Sequence, residues 1–439
     1  MSANATPKTP WLQTPWAMLW VGLSIRVLYI IAAHTYRIRP FDTYFNFGWE
    51  MGRVGRALAT GYGFSDPFQG HTGPTAWFPP LYPLLIGGVF KLFGVYTKLS
   101  AFALFTVNSI FSAATAPAVY RIGLRSFNRR VALWSGWLWA LYPAAMQYAT
   151  HWIWDMAVTT CLFAWVIAIA LKARGIGEQE PGKSTQTFRL WAVFGLLWAG
   201  IALLNSSLLL FLPFCGLWMA WPERRRLIPA IARATLAAII FLACLFPWTL
   251  RNYHVFHTLV PLRANFGAEL YAGSLESNGG FPYGPSVAVY EAAPDMKRYK
   301  NLGEIAFSHE RLGMAKAIIH AYPDRFRNYT LKRIWFYWAG VPHPIEKSLL
   351  AEVIREINYC VISVSGVLGL ALALHRRRPG AILFAAAFFF LPLTYYIVTV
   401  QARFRAPLEP ILCVLSVYLF QSADRSRTWS WQQPKDATR

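Results

Sequence analysis

Acidic residues are scarce in this chain. Only 20 Asp and Glu stand against 42 Lys and Arg in 439 residues, and charged residues of both signs make up 14% of the sequence. Hydrophobic residues make up 56%, and the mean hydropathy is +0.34. Ordinary soluble domains carry about 25% charged residues, so a soluble protein is excluded and a polytopic membrane protein is predicted.

Several common motifs are absent as well. The sequence has no Walker loop, HExxH, GxSxG or internal repeat, and no small-residue cleavage site precedes its first apolar run, which predicts that the first helix is retained. The five cysteines lie in or beside apolar runs without CxxC or metal-ligand spacing. This pattern indicates buried thiols.

The net charge of +22 does not indicate a nucleic-acid partner, because many basic residues cluster at the ends of apolar runs. Three short loops are basic: RSFNRR (125–130), ERRRL (223–227) and HRRRP (375–379). Short loops rich in Lys and Arg stay in the cytoplasm. The chain is therefore expected in the cell (inner) membrane, with both termini in the cytoplasm.

The apolar runs predict an all-α protein with about ten transmembrane helices, since a bilayer crossing needs about 20 largely apolar residues. The predicted spans are 16–33, 100–120, 131–147, 154–171, 190–204, 208–221, 227–248, 353–374, 381–398 and 407–420. The predicted division is a membrane module at 1–248 with a catalytic first outer loop at 34–98, an outer-side region at 249–350, and C-terminal helices with a cytoplasmic tail at 351–439.

The first outer loop is too polar and too rich in Gly and Pro to be a simple linker. Residues 44–60 predict a helix with Met51, Val54 and Leu58 on one face and Glu50 with Arg53 on another. Residues 81–95 predict a second, juxtamembrane helix, because Lys91 interrupts a run that is too short to span.

Within that loop, the glycines at 48, 52 and 55 keep part of the helix surface small, so that another helix or a ligand can approach the backbone. Asp42, after Pro40, has the pattern of a helix N-cap. In the turn-rich stretch that follows, Asp66 and His71 are candidates for binding an anion or a sugar. The aromatic residues expected to line a sugar or lipid path are Tyr62, Phe64, Phe68, Trp77, Phe78 and Tyr82.

A further carboxylate, Asp155, lies where the third span passes to the fourth, at the outer membrane boundary. A carboxylate there is costly unless it is paired or lines a wet cavity, and it can also cap the following helix. Arg251 and Arg263 follow the seventh span, and Arg403 and Arg405 lie between the last two. These arginines suit a lipid phosphate, since guanidinium offers two oriented donors, although any one of them can be an interface anchor.

The outer-side region ends in a second predicted helical segment, GEIAFSHERLGMAKAIIHAYPDRF, with Ile305, Leu312, Ala315 and Ile319 near one face. It is expected to cover the site or contact the acceptor, and to move when the donor binds.

The order of several segments carries a resemblance. They are PPLYPLL and KLFG in the first outer loop, the acidic residue opening the fourth span, PWTLRNYHVF, VPLRANFG and LYAGS after the seventh, and YYIVTVQARFRAPLEPIL. Together they resemble bacterial clan-C membrane glycosyltransferases of the family 39 type, related to protein O-mannosyltransferases and lipid A aminoarabinose transferases. The resemblance runs through almost the whole chain. It implies an inverting transfer of a sugar from a polyprenyl-phosphate carrier at the outer face of the membrane.

For the site, the resemblance implies a first-loop acidic residue that acts on the acceptor and basic residues that hold the donor phosphate. Glu50 takes the acidic role, because its distance from the segment GYGFS (61–65) is close to that expected for the family. Many relatives carry Asp about one helical turn earlier, where this chain has Phe47, so Asp42 remains an alternative base. Asp155 is the second acidic residue. The residues expected to bind substrate are Arg53, His71, Arg251, Asn252, Arg263, Asn265, Tyr396, Arg403 and Arg405.

The chemistry of such a transfer agrees with these residue types. An acceptor hydroxyl or amine needs a base within hydrogen-bond reach, whereas a leaving phosphate is already anionic and needs cations. Dependence on a divalent metal stays open at this point, because no motif gives a closed set of ligands, although Glu50, Asp155 and His71 have the oxygen and nitrogen atoms that such a metal binds. The expected partners are a polyprenyl-phosphate sugar, a glycan, lipid or protein acceptor, and membrane lipid.

Two other functions stay open at this point. One is a surface-glycan ligase or polymerase that uses a polyprenyl-diphosphate donor. The other is a non-enzymatic transporter or scaffold, which is less favoured because transporters place their functional charges near the bilayer midplane.

Overall fold

The chain is described by a computed structural model that covers residues 10–38, 47–177, 187–223, 227–279, 293–341 and 349–422. These ranges hold seventeen α-helices and no β-strand, apart from one isolated bridge between Ser65 and Pro74. The predicted all-α membrane architecture is therefore confirmed.

The helices follow one another in three groups. The N-terminal group is α1 (Pro15–Ala32), α2 (Glu50–Ala59), α3 (Leu81–Phe93), α4 (Lys98–Ser126), α5 (Arg129–Leu141), α6 (Pro143–Thr150) and α7 (Met156–Ala173). The middle group is α8 (Phe188–Ala202), α9 (Leu212–Ala220), α10 (Leu227–Phe256), α11 (Phe266–Ser274), α12 (Ala293–Leu302), α13 (Glu304–Ala321) and α14 (Pro323–Ala339). The C-terminal group is α15 (Leu349–His375), α16 (Ala381–Ile397) and α17 (Glu409–Gln421).

Each of the ten predicted spans contains helix, but their lengths differ. Within the described residues, five helices are long and apolar enough to cross a membrane by length and composition: α1, α4, α7, α10 and the part of α15 from Val353 to His375. The helices α3, α8 and α16 are apolar but shorter, as is the helical stretch Ser206–Ala220. The short helix predicted at 81–95 is confirmed as α3.

Proline explains where predicted spans are broken. The span predicted at 131–147 is two helices, α5 and α6, because Pro143 forces the preceding Tyr142 into an extended conformation, with φ −67° and ψ 120°. The span predicted at 407–420 begins later, as α17, after a 3₁₀ turn at Ala402–Leu408 that contains Pro407.

The helix predicted at 44–60 is shorter in the described residues, where α2 starts at Glu50. Gly48 and Trp49 have positive φ angles of 81° and 45°, which are incompatible with a right-handed helix. The predicted apolar face is correct, since Met51 and Val54 are buried and Leu58 packs against the core. Residues 39–46, with Asp42, lie outside the described residues.

The helices from both ends of the chain share one core. α17 packs on α5 and α4 as well as on α15, and α4 packs along α7. A second cluster joins the first outer loop to the helix bundle: Phe47 and Met51 pack with Ile86 of α3, Leu104 of α4 and Ile153. Burial of these side chains fixes α2 against the segment that leads into α7.

The outer-side region packs on the first outer loop. α11 lies along α13, and Phe307 of α13 joins Phe68, Trp77 and Tyr299 in an aromatic cluster. The helix predicted around 303–326 is confirmed as α13, which ends at Ala321 before Pro323. Residues 280–292, which include most of the turn-rich sequence GGFPYGP, lie outside the described residues.

Candidate active site

Glu50 is the first residue of α2, and a close backbone approach fixes its position. Gly48, two residues earlier, lies directly against the Ile153 carbonyl, where no side chain would fit. Trp49 packs with Trp154, which brings the start of α2 to the turn before α7. Glu50 keeps partial access to solvent and forms no ion pair within the described residues.

Asp155 occupies the residue before α7 and is buried, with 4% of its surface exposed. It makes no side-chain capping hydrogen bond to the backbone. Instead its Oδ2 accepts a hydrogen bond of 3.0 Å from the Thr159 hydroxyl. The capping alternative is therefore wrong, and the carboxylate faces the protein interior beside the start of α2.

Arg403 reaches the same place from the C-terminal end of the chain. It belongs to the 3₁₀ turn between α16 and α17, and its guanidinium carbon lies 3.4 Å from the centre of the Trp154 ring. A cation over an aromatic face is stabilised by the ring quadrupole. Arg403 interacts electrostatically with both Glu50 and Asp155.

The segment after α10 supplies the remaining side chains. Several hydrogen bonds hold it; among them, the Trp248 indole donates to the Leu262 carbonyl at 2.7 Å, and the Ala264 amide donates to the Ala76 carbonyl at 2.8 Å. Arg263 and Glu269 are both partly exposed. Arg263 makes one long hydrogen bond, 3.5 Å from Nη2 to the Ser207 hydroxyl, so most of its donors remain available within the described residues.

These groups form one site, which we call the carboxylate–arginine site. Its members are Glu50, Arg53, Asp155, Arg263, Asn265, Glu269 and Arg403. Three helices, α2, α7 and α11, begin at this site, and their N-terminal amide groups favour an anion. It holds three carboxylates and three arginines, and so lacks a large net charge before any ligand binds.

The electrostatics of the site raise the pKa of its carboxylates. Desolvation by the surrounding protein is the main cause that raises the pKa of Glu50 to about 7, and the negative charge of Glu269 raises it further, against the smaller lowering effects of Arg403 and Arg53. Desolvation also raises the pKa of Glu269, against the lowering effects of Arg263 and Arg403. A carboxylate that titrates near neutral pH can take up and release a proton under working conditions.

Arg251 and Asn252, two of the predicted binding residues, lie apart from this site. Arg251 donates to the carbonyls of Phe64 and Thr75, each at 2.7 Å, and its guanidinium also contacts the Phe64 ring. Asn252 is fully buried and donates to the Val260 carbonyl at 2.9 Å. Arg251 therefore holds the first outer loop against the end of α10, and Asn252 holds the segment that follows α10.

Arg405 and Tyr396 also lie outside it. Arg405 is fully buried and donates to Glu409, both Nε and Nη2 lying 3.2 Å from Oε1, and to Ser363. The Tyr396 hydroxyl accepts a hydrogen bond of 2.8 Å from the Trp338 indole. These contacts join the C-terminal helices to α14.

Asp66 and His71 form a local turn. Asp66 accepts hydrogen bonds from the amides of Thr72 and Gly73 and lies 3.0 Å from Nδ1 of His71. The His71 side chain is 68% exposed. Four of the six aromatic residues expected to line a path are instead buried in hydrophobic clusters: Phe64, Phe68, Trp77 and Tyr82. Tyr62 is 60% exposed, and its ring contacts the His71 ring.

Two carboxylates in this part of the molecule were missed by the sequence reasoning. Glu269 lies between the VPLRANFG and LYAGS segments, four residues after Asn265, and that spacing on a helix was the available signal. Glu304 opens α13 and accepts hydrogen bonds from the Thr75 hydroxyl, the Ala76 amide and the Tyr299 hydroxyl. It joins the outer-side region to the first outer loop.

The described residues contain no group of three or more His, Cys, Asp or Glu side chains that could hold a metal ion. His71, one of the three predicted ligands, is held in the Asp66 turn and interacts with neither Glu50 nor Asp155 in the described residues.

Comparison with known proteins gives matches only among solved structures, since no family model and no curated protein sequence matches the chain. The archaeal oligosaccharyltransferase AglB from Archaeoglobus fulgidus, in complex with an inhibitory peptide and a dolichol-phosphate, is similar with a TM-score of 0.51 and 12% identity, over 94% of this chain and 51% of that chain. The A. fulgidus enzyme tethered to an acceptor peptide with the NVT sequon gives a TM-score of 0.52 and 12% identity, over 94% and 50%.

ArnT from Cupriavidus metallidurans bound to undecaprenyl phosphate is also similar, with 13% identity over 93% of this chain and 77% of that chain, but its TM-score of 0.37 is too low to support an argument. The chain spans about half the length of the oligosaccharyltransferase chains. At these identities the likeness shows the fold alone. The described helices share the fold of the matched half of the A. fulgidus oligosaccharyltransferase, which confirms at the level of the fold the resemblance found in the sequence.

Proposed function

We propose that this chain is a glycosyltransferase that moves a sugar from a polyprenyl-phosphate carrier to an acceptor, with Glu50 as the base. One observation carries the proposal: Glu50, without an ion pair in the described residues, shares the carboxylate–arginine site with Arg263 and Arg403 at the start of three helices. Such a site suits a reaction between an anionic leaving group and a neutral acceptor.

In the proposed reaction the Glu50 carboxylate accepts the proton of the acceptor hydroxyl or amine. The acceptor oxygen or nitrogen forms a bond to the anomeric carbon while the bond from that carbon to the phosphate oxygen breaks. Arg263 and Arg403 bind the phosphate and stabilise the charge that it gains on leaving. The buried Asp155 holds Arg403 near the site by charge attraction.

A single displacement of this kind inverts the anomeric configuration. A retaining enzyme would instead use a second carboxylate as nucleophile, about 5 Å from the acid–base residue. Proton NMR of the product, which separates α and β anomers, tests inversion directly. A product with the anomeric configuration of the donor would rule out the single displacement.

The test of the proposal is transfer from a radiolabelled polyprenyl-phosphate sugar to a membrane extract, with the full chain in proteoliposomes. Glu50→Gln is expected to lower the rate by about 100-fold or more, the usual contribution of a positioned base. Glu276→Gln is the matched control, because it makes the same chemical change where 81% of the side chain is exposed. Equal rates for Glu50→Gln and the wild-type chain would reject Glu50 as the base.

Donor competition separates this function from that of a ligase or polymerase. A polyprenyl-diphosphate oligosaccharide should compete poorly with the monophosphate donor. If it were the better substrate, the chain would be a ligase or polymerase with the same fold.

Asp42 remains the alternative base and a divalent metal remains a prediction. Glu50 and Asp155 would supply oxygen ligands for such an ion, which would neutralise phosphate charge when bound. Loss of transfer in EDTA with recovery on adding Mg²⁺ or Mn²⁺ would establish the metal. Loss of transfer in Asp42→Asn with full activity in Glu50→Gln would assign the base to Asp42.

The site is proposed to face the outer side of the cell membrane, with both termini in the cytoplasm. The positive-inside distribution of the basic loops supports this orientation. Asp324→Cys, in α14, should react in intact cells with a membrane-impermeant maleimide, whereas Arg377→Cys, in a basic loop, should react only after lysis. Labelling of Arg377→Cys alone in intact cells would reverse the orientation.

A further inference from the structure

The start of α11 carries a pair of side chains to which no role has been given as a unit. Asn265 is 1% exposed, and its Nδ2 donates a hydrogen bond of 3.3 Å to Oε1 of Glu269, one turn along the helix. This bond fixes the orientation of the amide, because a carboxylate only accepts hydrogen bonds. The amide oxygen therefore points away from Glu269.

In the part of the chain that the structure describes, the amide oxygen of Asn265 lacks the hydrogen bond that a buried acceptor needs. Asn265 Oδ1 is buried and has no hydrogen-bond partner within the described residues. A buried acceptor without a donor destabilises the folded chain, so such atoms in native proteins usually bind a ligand or a water. Glu269 beside it receives one hydrogen bond, from Asn265, in the same part of the structure.

The pair faces the carboxylate–arginine site. Glu269 interacts electrostatically with Glu50, Arg263 and Arg403, so its carboxylate belongs to the same site as the two arginines proposed to hold the donor phosphate. The arginines supply donors only, and the Asn265–Glu269 pair supplies mainly acceptors. The two halves of the site thus differ in the chemistry that they recognise.

We propose that Asn265 and Glu269 form the sugar-binding subsite, which accepts hydrogen bonds from two donor groups of the sugar ring while Arg263 and Arg403 hold the phosphate. This inference rests on the proposed function and adds the sugar-recognition residues to it. The hydrogen-bond donors on the sugar are hydroxyl groups or an ammonium substituent of the ring. Both present O–H or N–H to a carboxylate and an amide oxygen. A sugar that lacks them leaves these buried acceptors unpaired and binds weakly.

The experiment measures binding without turnover. The full chain in nanodiscs is titrated with undecaprenyl phosphate alone and with undecaprenyl phosphate carrying glucose, mannose or 4-amino-4-deoxyarabinose. The ratio of the two dissociation constants, bare carrier over sugar-loaded carrier, is the sugar contribution. For the wild-type chain one sugar should give a ratio of about 10 or more, the effect of one good hydrogen bond to a charged group.

Glu269→Gln and Asn265→Ala should lower that ratio about tenfold and still bind bare undecaprenyl phosphate. The ratio is the decisive quantity, because any effect of the lost Glu269 charge on the phosphate acts on bare and loaded carrier alike. Retained carrier binding shows that the variants are folded, and Glu276→Gln, on the exposed surface, should match the wild-type chain in both measurements. A preference for neutral sugars identifies hydroxyl recognition, and a preference for the amino sugar identifies an ammonium.

Two results would overturn the subsite. One is an unchanged ratio in both variants; if bare and loaded carrier were weakened equally, the pair would only position the arginines. The other is a wild-type ratio near 1 for every sugar. Neither result depends on transfer, whereas the proposed function is tested separately and fails if Glu50→Gln keeps full activity.

Discussion

The guanidinium carbon of Arg403 lies 3.4 Å from the centre of the Trp154 ring, and Trp154 immediately precedes the buried Asp155. The two residues are almost 250 positions apart in the chain, yet this contact joins the turn after α16 to the start of α7. The stacked plane fixes where the guanidinium donors point, which is what a phosphate-binding arginine needs.

Arg403→Lys should therefore lower activity although it keeps the charge. An ammonium group loses the planar stack and the two parallel donors, and a desolvated cation–π contact contributes about 2 kcal/mol, so kcat/KM for the donor should fall by about 30-fold. Steady-state kinetics with varied donor measure the effect. Arg327→Lys is the control, since that side chain is 71% exposed. Unchanged kinetics in Arg403→Lys would remove Arg403 from the donor site.

Glu50 should make the transfer rate depend on pH near neutrality. The base acts as the carboxylate, and desolvation raises its pKa to about 7 in the ligand-free protein, so kcat/KM for the donor should fall as the pH drops through about 7 and level off above it. Glu269→Gln removes a negative charge that also raises the pKa of Glu50, so the midpoint should move to lower pH. Values of kcat/KM from about pH 5 to 9 test both statements, because kcat/KM reports the pKa of the free enzyme. A flat profile, or a midpoint unmoved in Glu269→Gln, would contradict them.

The sequence alone could not tell which of two similar arginines belongs to the carboxylate–arginine site. Arg251 and Arg263 both follow the seventh predicted span, and nothing local distinguishes them. Arg251 is used by the carbonyls of Phe64 and Thr75, which lie 187 and 176 positions away, whereas Arg263 makes only one long hydrogen bond within the described residues. Which carbonyl meets which arginine depends on tertiary packing, so periodicity and charge could not decide it.

The helices themselves were easier to predict, because apolar runs of this length have few alternatives to membrane helix. Asp155 was singled out because a carboxylate beside such a run is unusual, whereas Glu50 was chosen by its distance from GYGFS. Glu304 escaped notice, since on sequence it is an ordinary acidic residue at the start of an amphipathic helix. Its partners Thr75 and Ala76 are 229 and 228 positions away.

Glu304 should lower the stability of the wild-type chain as the pH rises. Desolvation raises its pKa from the ordinary 4.5 to about 7, so between these values the folded state holds a proton that the unfolded state has released. Its favourable contribution is complete below about pH 4.5 and is lost as the pH rises through about 7. Glu304→Gln cannot titrate and should lack this dependence.

The measurement is the melting temperature in nanodiscs at about pH 5 and about pH 8. From the lower to the higher pH, the melting temperature of the wild-type chain should fall relative to that of Glu304→Gln. Asp324→Asn, with 82% of the side chain exposed, is the control and should give the same difference at both values. A difference that is constant for Glu304→Gln as well would show that Glu304 does not titrate in this range.

Arg405 and Glu409 provide a test of structure against function, because Arg405 was expected to bind substrate and yet is fully buried beside Glu409. Arg405→Met leaves an unpaired buried carboxylate and should destabilise the fold by about 3–5 kcal/mol, whereas the double change Arg405→Met with Glu409→Gln removes both charges and should recover most of that loss.

Thermal unfolding of the single and double variants measures the recovery, and the donor-binding assay is run on the double variant. If Arg405 is structural, the double variant binds undecaprenyl phosphate like the wild-type chain. A double variant that is as stable as the wild-type chain but binds the carrier at least tenfold more weakly would contradict this role. Arg405 would then leave Glu409 during the reaction and bind the carrier phosphate.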